Sequence, residues 1–180
     1  MINQAEQRQT NIKHRTFVAV WRQSAFLVVL SLLMLLPLIS SAFAAEDAKV
    51  KESMQTLKEA TAALGKPKLE DEDLYFGTTK MNGDFTVVDM VKTKHNGTAT
   101  LFAKKGANFV RVSTNVIKDG QRAVGTTLDP SGPAAAAIKQ GQSFYGIVDI
   151  LGKIYNTGYE PIKAENGDVI GVFYVGFLME

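Results

Sequence analysis

The stretch from Thr98 to Asp129, TATLFAKKGANFVRVSTNVIKDGQRAVGTTLD, decides the fold class. Thr98 to Ala103 reads as a strand, and Lys105-Gly106-Ala107-Asn108 turns the chain. Asn108 to Val116 is a second strand, rich in β-branched residues. So short a gap makes the pair a hairpin. Asp119-Gly120 turns again, and Asp129-Pro130 with Gly132-Pro133 opens a short helix, Ala134 to Gln140, closed by Gly141. Three more strands follow: Phe144 to Leu151, Lys153 to Ile162 and Val169 to Phe177, parted by Gly152 and by Asn166-Gly167. Consecutive hairpins with helices set to one side indicate an α+β domain on an antiparallel sheet, not a doubly wound one.

Upstream, Glu46 to Leu64 reads as a helix. Val50, Met54, Leu57, Thr61 and Leu64 line one face, acids sit at its start, and Gly65 and Pro67 stop it. The face is narrow, which suits either a helix laid on a sheet or a dimer seam. Lys66 to Asp73 is polar and reads as a surface connection. Its four acids, Glu70 to Asp73, lack the spacing of a calcium loop. Phe85 to Val91 fits a strand or one helical face equally, and Asn96-Gly97 reads as a hairpin turn. Val169, Ile170, Val172, Phe173 and Val175 are expected core.

The N-terminal 44 residues read as a targeting segment. Ala25 to Ile39 (AFLVVLSLLMLLPLI) is uncharged and apolar, preceded by Lys13, Arg15 and Arg22 and followed by Ala42-Phe43-Ala44. That is the pattern of a signal peptide cut after Ala44. The alternative is an uncleaved inner-membrane anchor, since Gln23 to Ala45 carries no charge. Either way Glu46 onward is exported, to the periplasm. Of 20 basic residues 16 lie beyond Ala44, with 17 of the 18 acids, so the exported part is near −1 and gives no support for nucleic-acid binding. The chain has no cysteine, which excludes disulfides and thiol chemistry.

The runs quoted above, continued by FYGIVDILGKIYNTGYEPIKAENGDVIGVFYVG from Phe144 to Gly176, resemble the single Cache domain of the Cache 3/Cache 2 fusion type. This is the extracytoplasmic sensor of bacterial chemoreceptors and sensor kinases. The resemblance covers Leu74 to Gly176 and rests on FVRVSTN, RAVGT, GYEPI and VIGVFYVG in order. It implies a PAS-like fold with a long N-terminal helix behind the sheet, and a small molecule held between the sheet and the crossover. The division expected is leader 1–44, helix and linker 45–73, and sensor core 74–180. Because the last strand ends at the C-terminus, with no output module after it, the expectation is a stand-alone sensor. A separate partner, a membrane sensor kinase, chemoreceptor or transporter, would read it, with a homodimer as a further option.

Catalysis has little support and no cofactor is expected. The only histidines are His14 in the leader and His95, which reads as an exposed loop residue. Ser113, Ser131 and Ser143 have no histidine base in a recognisable motif, and no glycine-rich phosphate loop occurs. Binding is better supported. Arg111 and Arg122 are the only arginines beyond the leader, and a guanidinium grips a carboxylate bidentately as a lysine cannot. Lys153, Tyr155 and Tyr159 share one strand face, and Tyr145 lies on the strand before. The expected site is therefore Arg111 and Arg122 for a carboxylate, with Tyr145, Lys153, Tyr155 and Tyr159 around the ligand body. The alternative is a ligand-free interaction or scaffold protein that docks or dimerises through the N-terminal helix.

Overall fold

The computed structural model describes residues 47–179, and the leader lies outside them. Helix α1 spans residues 47–62. A small three-stranded sheet follows: β1 (Pro67–Glu70), β2 (Asp73–Phe76) and β3 (Thr79–Lys80). Then come α2 (Thr86–His95), β4 (Thr98–Lys105), β5 (Asn108–Thr114) and the hairpin of β6 (Ile117–Lys118) and β7 (Gln121–Arg122). The chain ends with α3 (Pro133–Lys139), β8 (Phe144–Ile150), β9 (Lys153–Lys163) and β10 (Val169–Leu178). The main sheet is antiparallel, in the order β5-β4-β10-β9-β8. The α+β reading and the five long strands hold, with ends differing by a residue or two. Among the described residues no helix is long and apolar enough to cross a membrane.

The alternation of side chains gives this sheet two buried faces. One face carries Leu101, Phe173 and Val175 and is covered by α1, through Val50, Met54 and Leu57, and by α2, through Val88 and Val91. The other carries Phe102, Tyr159, Val172 and Tyr174 and is covered by α3, through Ala134, Ala135 and Ile138. The α1 face offered as a dimer seam is thus filled by its own sheet: Leu57 is 0% and Met54 1% exposed. Only Leu64, at 38%, stays outside.

Three local expectations, for Lys66 to Asp73, Asn96-Gly97 and His95, are corrected, and the open reading of Phe85 to Val91 is resolved. Lys66 to Asp73 is a β-hairpin, not a loop: Asp71 and Glu72 both take positive φ (49° and 64°), the two-residue turn that suits strand twist. Its acids face lysines, Glu70 with Lys68, Asp73 with Lys80 and Glu72 with Lys105. Phe85 to Val91 resolves as helix, because Val87, Val88 and Val91 all pack inward. Asn96-Gly97 ends that helix instead of turning a hairpin: Asn96 is the left-handed C-cap (φ 57°) and its N–H donates to the Lys92 carbonyl. Both structures demand φ > 0 from the same residue types, so the dipeptide cannot separate them. His95 is accordingly a half-buried last-turn residue, its Nε2 2.9 Å from Thr56 Oγ1 on α1.

Candidate functional site

A cavity of about 320 Å³ opens between the sheet and the crossover. Residues Thr127 to Ala134 form one wall, Ile147 to Leu151 the other, and Arg111 and Tyr159 stand between them. This volume lies at the lower end of small-ligand sites, about 300–1,000 Å³.

Arg111 is brought there by strand pairing. The crossover runs back along the outer edge of β5: Arg111 N–H donates to Thr126 O (2.9 Å), Leu128 N–H to Phe109 O (2.9 Å), and Val110 bridges to Thr127. A bulge in the β4–β5 ladder sets Arg111 opposite Phe102, and the guanidinium carbon lies 4.9 Å from the Phe102 ring centre. Arg111 is 4% exposed. Its Nη1 donates to Thr126 Oγ1 (2.7 Å), but its buried Nε has no partner. No carboxylate pairs with it among the described residues. Burial pulls its pKa down, opposed by Tyr159 and Tyr174, yet a guanidinium stays protonated in proteins. A buried, charged and incompletely bonded group is costly unless something completes it.

Tyr159 is 2% exposed, its ring 5.0 Å from that of Tyr174 and 6.2 Å from Phe144. Burial holds its phenol well above the ordinary value, so the hydroxyl remains a donor. Tyr174, fully buried beneath it, has its hydroxyl 3.0 Å from Thr98 Oγ1, and that Oγ1 donates to Gly176 O on β10.

The other expected residues lie elsewhere. Arg122 is bound to α2: Nη1 and Nη2 each donate to Asp89 at 2.8 Å, Nη1 also reaches Thr114 O, and the guanidinium stacks 4.3 Å from the Phe85 ring. The pair is partly exposed, 32% and 44% for the two side chains. Arg122→Ala is expected to lower stability by about 1 kcal/mol and to leave ligand affinity unchanged. Chemical unfolding and titration check this, and a lost affinity would return Arg122 to the site.

Tyr145 is on the opposite face of the sheet. Its neighbour Phe144 turns towards Tyr159, so Tyr145 must point to α1, where its hydroxyl donates to Glu160 (2.6 Å), itself paired with Lys58 (2.7 Å). Gly158 makes the room: a Cβ there would meet the Tyr145 ring at 2.6 Å and Val50 at 3.0 Å. Tyr155 shares the Tyr159 face as expected, but it is core, 8% exposed, and does not line the cavity. Lys153 sits exposed where β9 leaves the hairpin turn. Of the six expected residues, the structure brings Arg111 and Tyr159 to one cavity.

Sequence reasoning missed Thr126, which holds the guanidinium, and Asp129 on the cavity wall. Asp129 carried one signal, its Asp-Pro turn, and that was read as punctuation. Among the described residues no group of three or more His, Cys, Asp or Glu is placed to hold a metal.

The family model of the Cache 3/Cache 2 fusion domain matches residues 2–180. The chain belongs to this family. A Cache domain is a sensory, small-molecule-binding, extracytoplasmic module found in sensor kinases and chemoreceptors, and the family is non-catalytic. No curated protein matches the chain. The Cache assignment agrees with a sheet that carries its long helix on one face and its cavity on the other.

Proposed function

We propose that this Cache domain is a periplasmic sensor of a small organic carboxylate, exported by the leader 1–44 or anchored by it. Arg111 holds the carboxylate and Tyr159 closes the apolar side of the pocket. The observation that carries this reading is the Arg111 guanidinium: it belongs to a buried side chain on the cavity wall, has no acidic partner among the described residues, and is incompletely hydrogen-bonded. A bound carboxylate supplies both the missing charge and the missing acceptors. Tyr159, Tyr174, Thr98 and Gly176 then form a line of contact from the cavity to β10 and the start of β4. Ligand closure would shift the crossover, and a separate membrane protein, a sensor kinase, chemoreceptor or transporter, would read the change.

The test is a thermal-shift screen of the exported chain against small carboxylates, with amines and sugars as controls. A ligand at 100 times its Kd stabilises the native state by about 2.7 kcal/mol, a rise of roughly 10 °C for a domain of this size. Hits confined to carboxylates support the reading. A well-folded protein that responds only to amines or sugars overturns it.

A further inference from the structure

We infer that the domain pairs with a second copy of itself along the outer edge of β8, antiparallel and centred on Ile147. The inference is independent of what the cavity binds. β8 is the last strand on one side of the main sheet, and among the described residues no strand pairs with its outer edge. On the other side, the edge of β5 is covered by the chain's own crossover through Gly125, Thr126 and Leu128. An open edge invites a further strand, and folded proteins protect it with lysine, proline, a bulge or a covering segment. Phe144 to Ile150 (FYGIVDI) holds no lysine and no proline, and its ladder with β9 runs without a register shift. Ile147 is 56% and Tyr145 39% exposed on this strand.

The alternation of the ladder fixes which backbone groups are free. Leu151 and Gly152 both take positive φ (55° and 85°), a two-residue turn closed by Ile150 and Lys153. The closing pair exchanges backbone bonds, and every second pair beyond it does the same. Phe144, Gly146, Val148 and Ile150 therefore bond to β9. On β9, Ile154 O accepts from Met179 N–H (2.9 Å), on the side away from β8, as this alternation requires. Tyr145, Ile147 and Asp149 accordingly aim their N–H and C=O groups outwards.

A two-fold axis at Ile147 uses all of these groups. Ile147 meets its own counterpart, Tyr145 meets the partner's Asp149, and each such pair exchanges two backbone bonds. An axis at Tyr145 leaves outward groups unpaired, and one at Asp149 also sets two carboxylates face to face. Centred on Ile147, the two Asp149 residues lie about 14 Å apart along the strands, beyond the roughly 8 Å screening length of physiological salt. Each Asp149 carboxylate is moreover turned back to its own Gly152 N–H (2.8 Å). Apolar side chains then match on both faces: Ile147 beside Ile147 on one, Phe144 beside Ile150 on the other. Two five-stranded sheets become one.

The experiment is sedimentation velocity of the exported chain over a concentration series. The parent is expected to reach twice the chain mass as concentration rises. Ile147→Pro removes only an outward N–H, so the chain should stay folded and sediment as a monomer. Ile147→Lys should weaken association at least about tenfold, and mixing it with Ile147→Glu should restore the dimer. The chain has no cysteine, so a single one reports position cleanly. Ile147→Cys should form an interchain disulfide on mild oxidation, because such paired Cα atoms lie about 5.5 Å apart. Ile117→Cys, as exposed but on β6, should not. A parent that stays monomeric throughout overturns the inference, as does a dimer that survives both Ile147→Pro and Ile147→Lys.

Discussion

Arg111→Met will abolish ligand binding while leaving the empty domain as stable as before, or more stable. Both halves follow from the same geometry. Arg111 is buried, pairs with no acid among the described residues and has an unbonded Nε. Its favourable contacts within the domain are the Thr126 hydrogen bond, a long one (3.5 Å) from Nη1 to Thr127 O, and the Phe102 ring. Losing the first leaves no orphan, because Thr126 Oγ1 still donates to Ala123 O (2.7 Å). Replacing a buried charge with an apolar chain of similar length is often neutral or stabilising, by about 1–4 kcal/mol. Truncating one partner of a buried charge-paired contact costs about 2–5 kcal/mol, so affinity should fall by about 30-fold or more. Apo melting temperature and titration of the same samples check the pair of outcomes. A variant that melts well below the parent would mean that Arg111 is structural. One that melts normally and binds normally would place the carboxylate elsewhere.

Much of the fold was legible because strands and turns write their signals locally. Runs of β-branched and aromatic residues in FVRVSTN and VIGVFYVG, with Gly-containing turns between, place the long strands within a residue or two. Asn96-Gly97 was misread because positive φ serves a helix cap and a hairpin alike. The site was less legible. A lone arginine amid Val110 and Val112 flags itself, as Arg111 did. Arg122 looked equivalent, since its partner Asp89 lies 33 residues away on a segment whose helix was not assigned. Tyr145 failed for a different reason. Which face a strand residue occupies depends on register, and one residue of slip reverses it. Asp129 reaches the cavity only after the crossover folds back along β5, which no local pattern records.

Met54→Lys together with Leu57→Lys will unfold the domain, and it will do so without reporting on oligomeric state. On the sequence alone these residues could form a dimer seam, in which case charging them would release folded monomers. Their burial in one chain decides the matter: Met54 and Leu57 are 1% and 0% exposed against a sheet face that includes Leu101, Phe173 and Val175. Truncating one such side chain to alanine already removes about 2–5 kcal/mol. A lysine adds the desolvation of an ammonium, and Glu160 on that face is already engaged by Lys58 and Tyr145. Two such changes, with two ammonium groups to desolvate, are comparable to the roughly 5–15 kcal/mol that holds a domain of this size. Circular dichroism and light scattering of the double variant check the result, with Leu64→Lys as the control on the exposed end of the same stripe. The control is expected to stay folded within about 0.5 kcal/mol of the parent. A double variant that keeps native dichroism and changes only its mass would show that the stripe meets a second copy, and the packing described for α1 would have to be withdrawn.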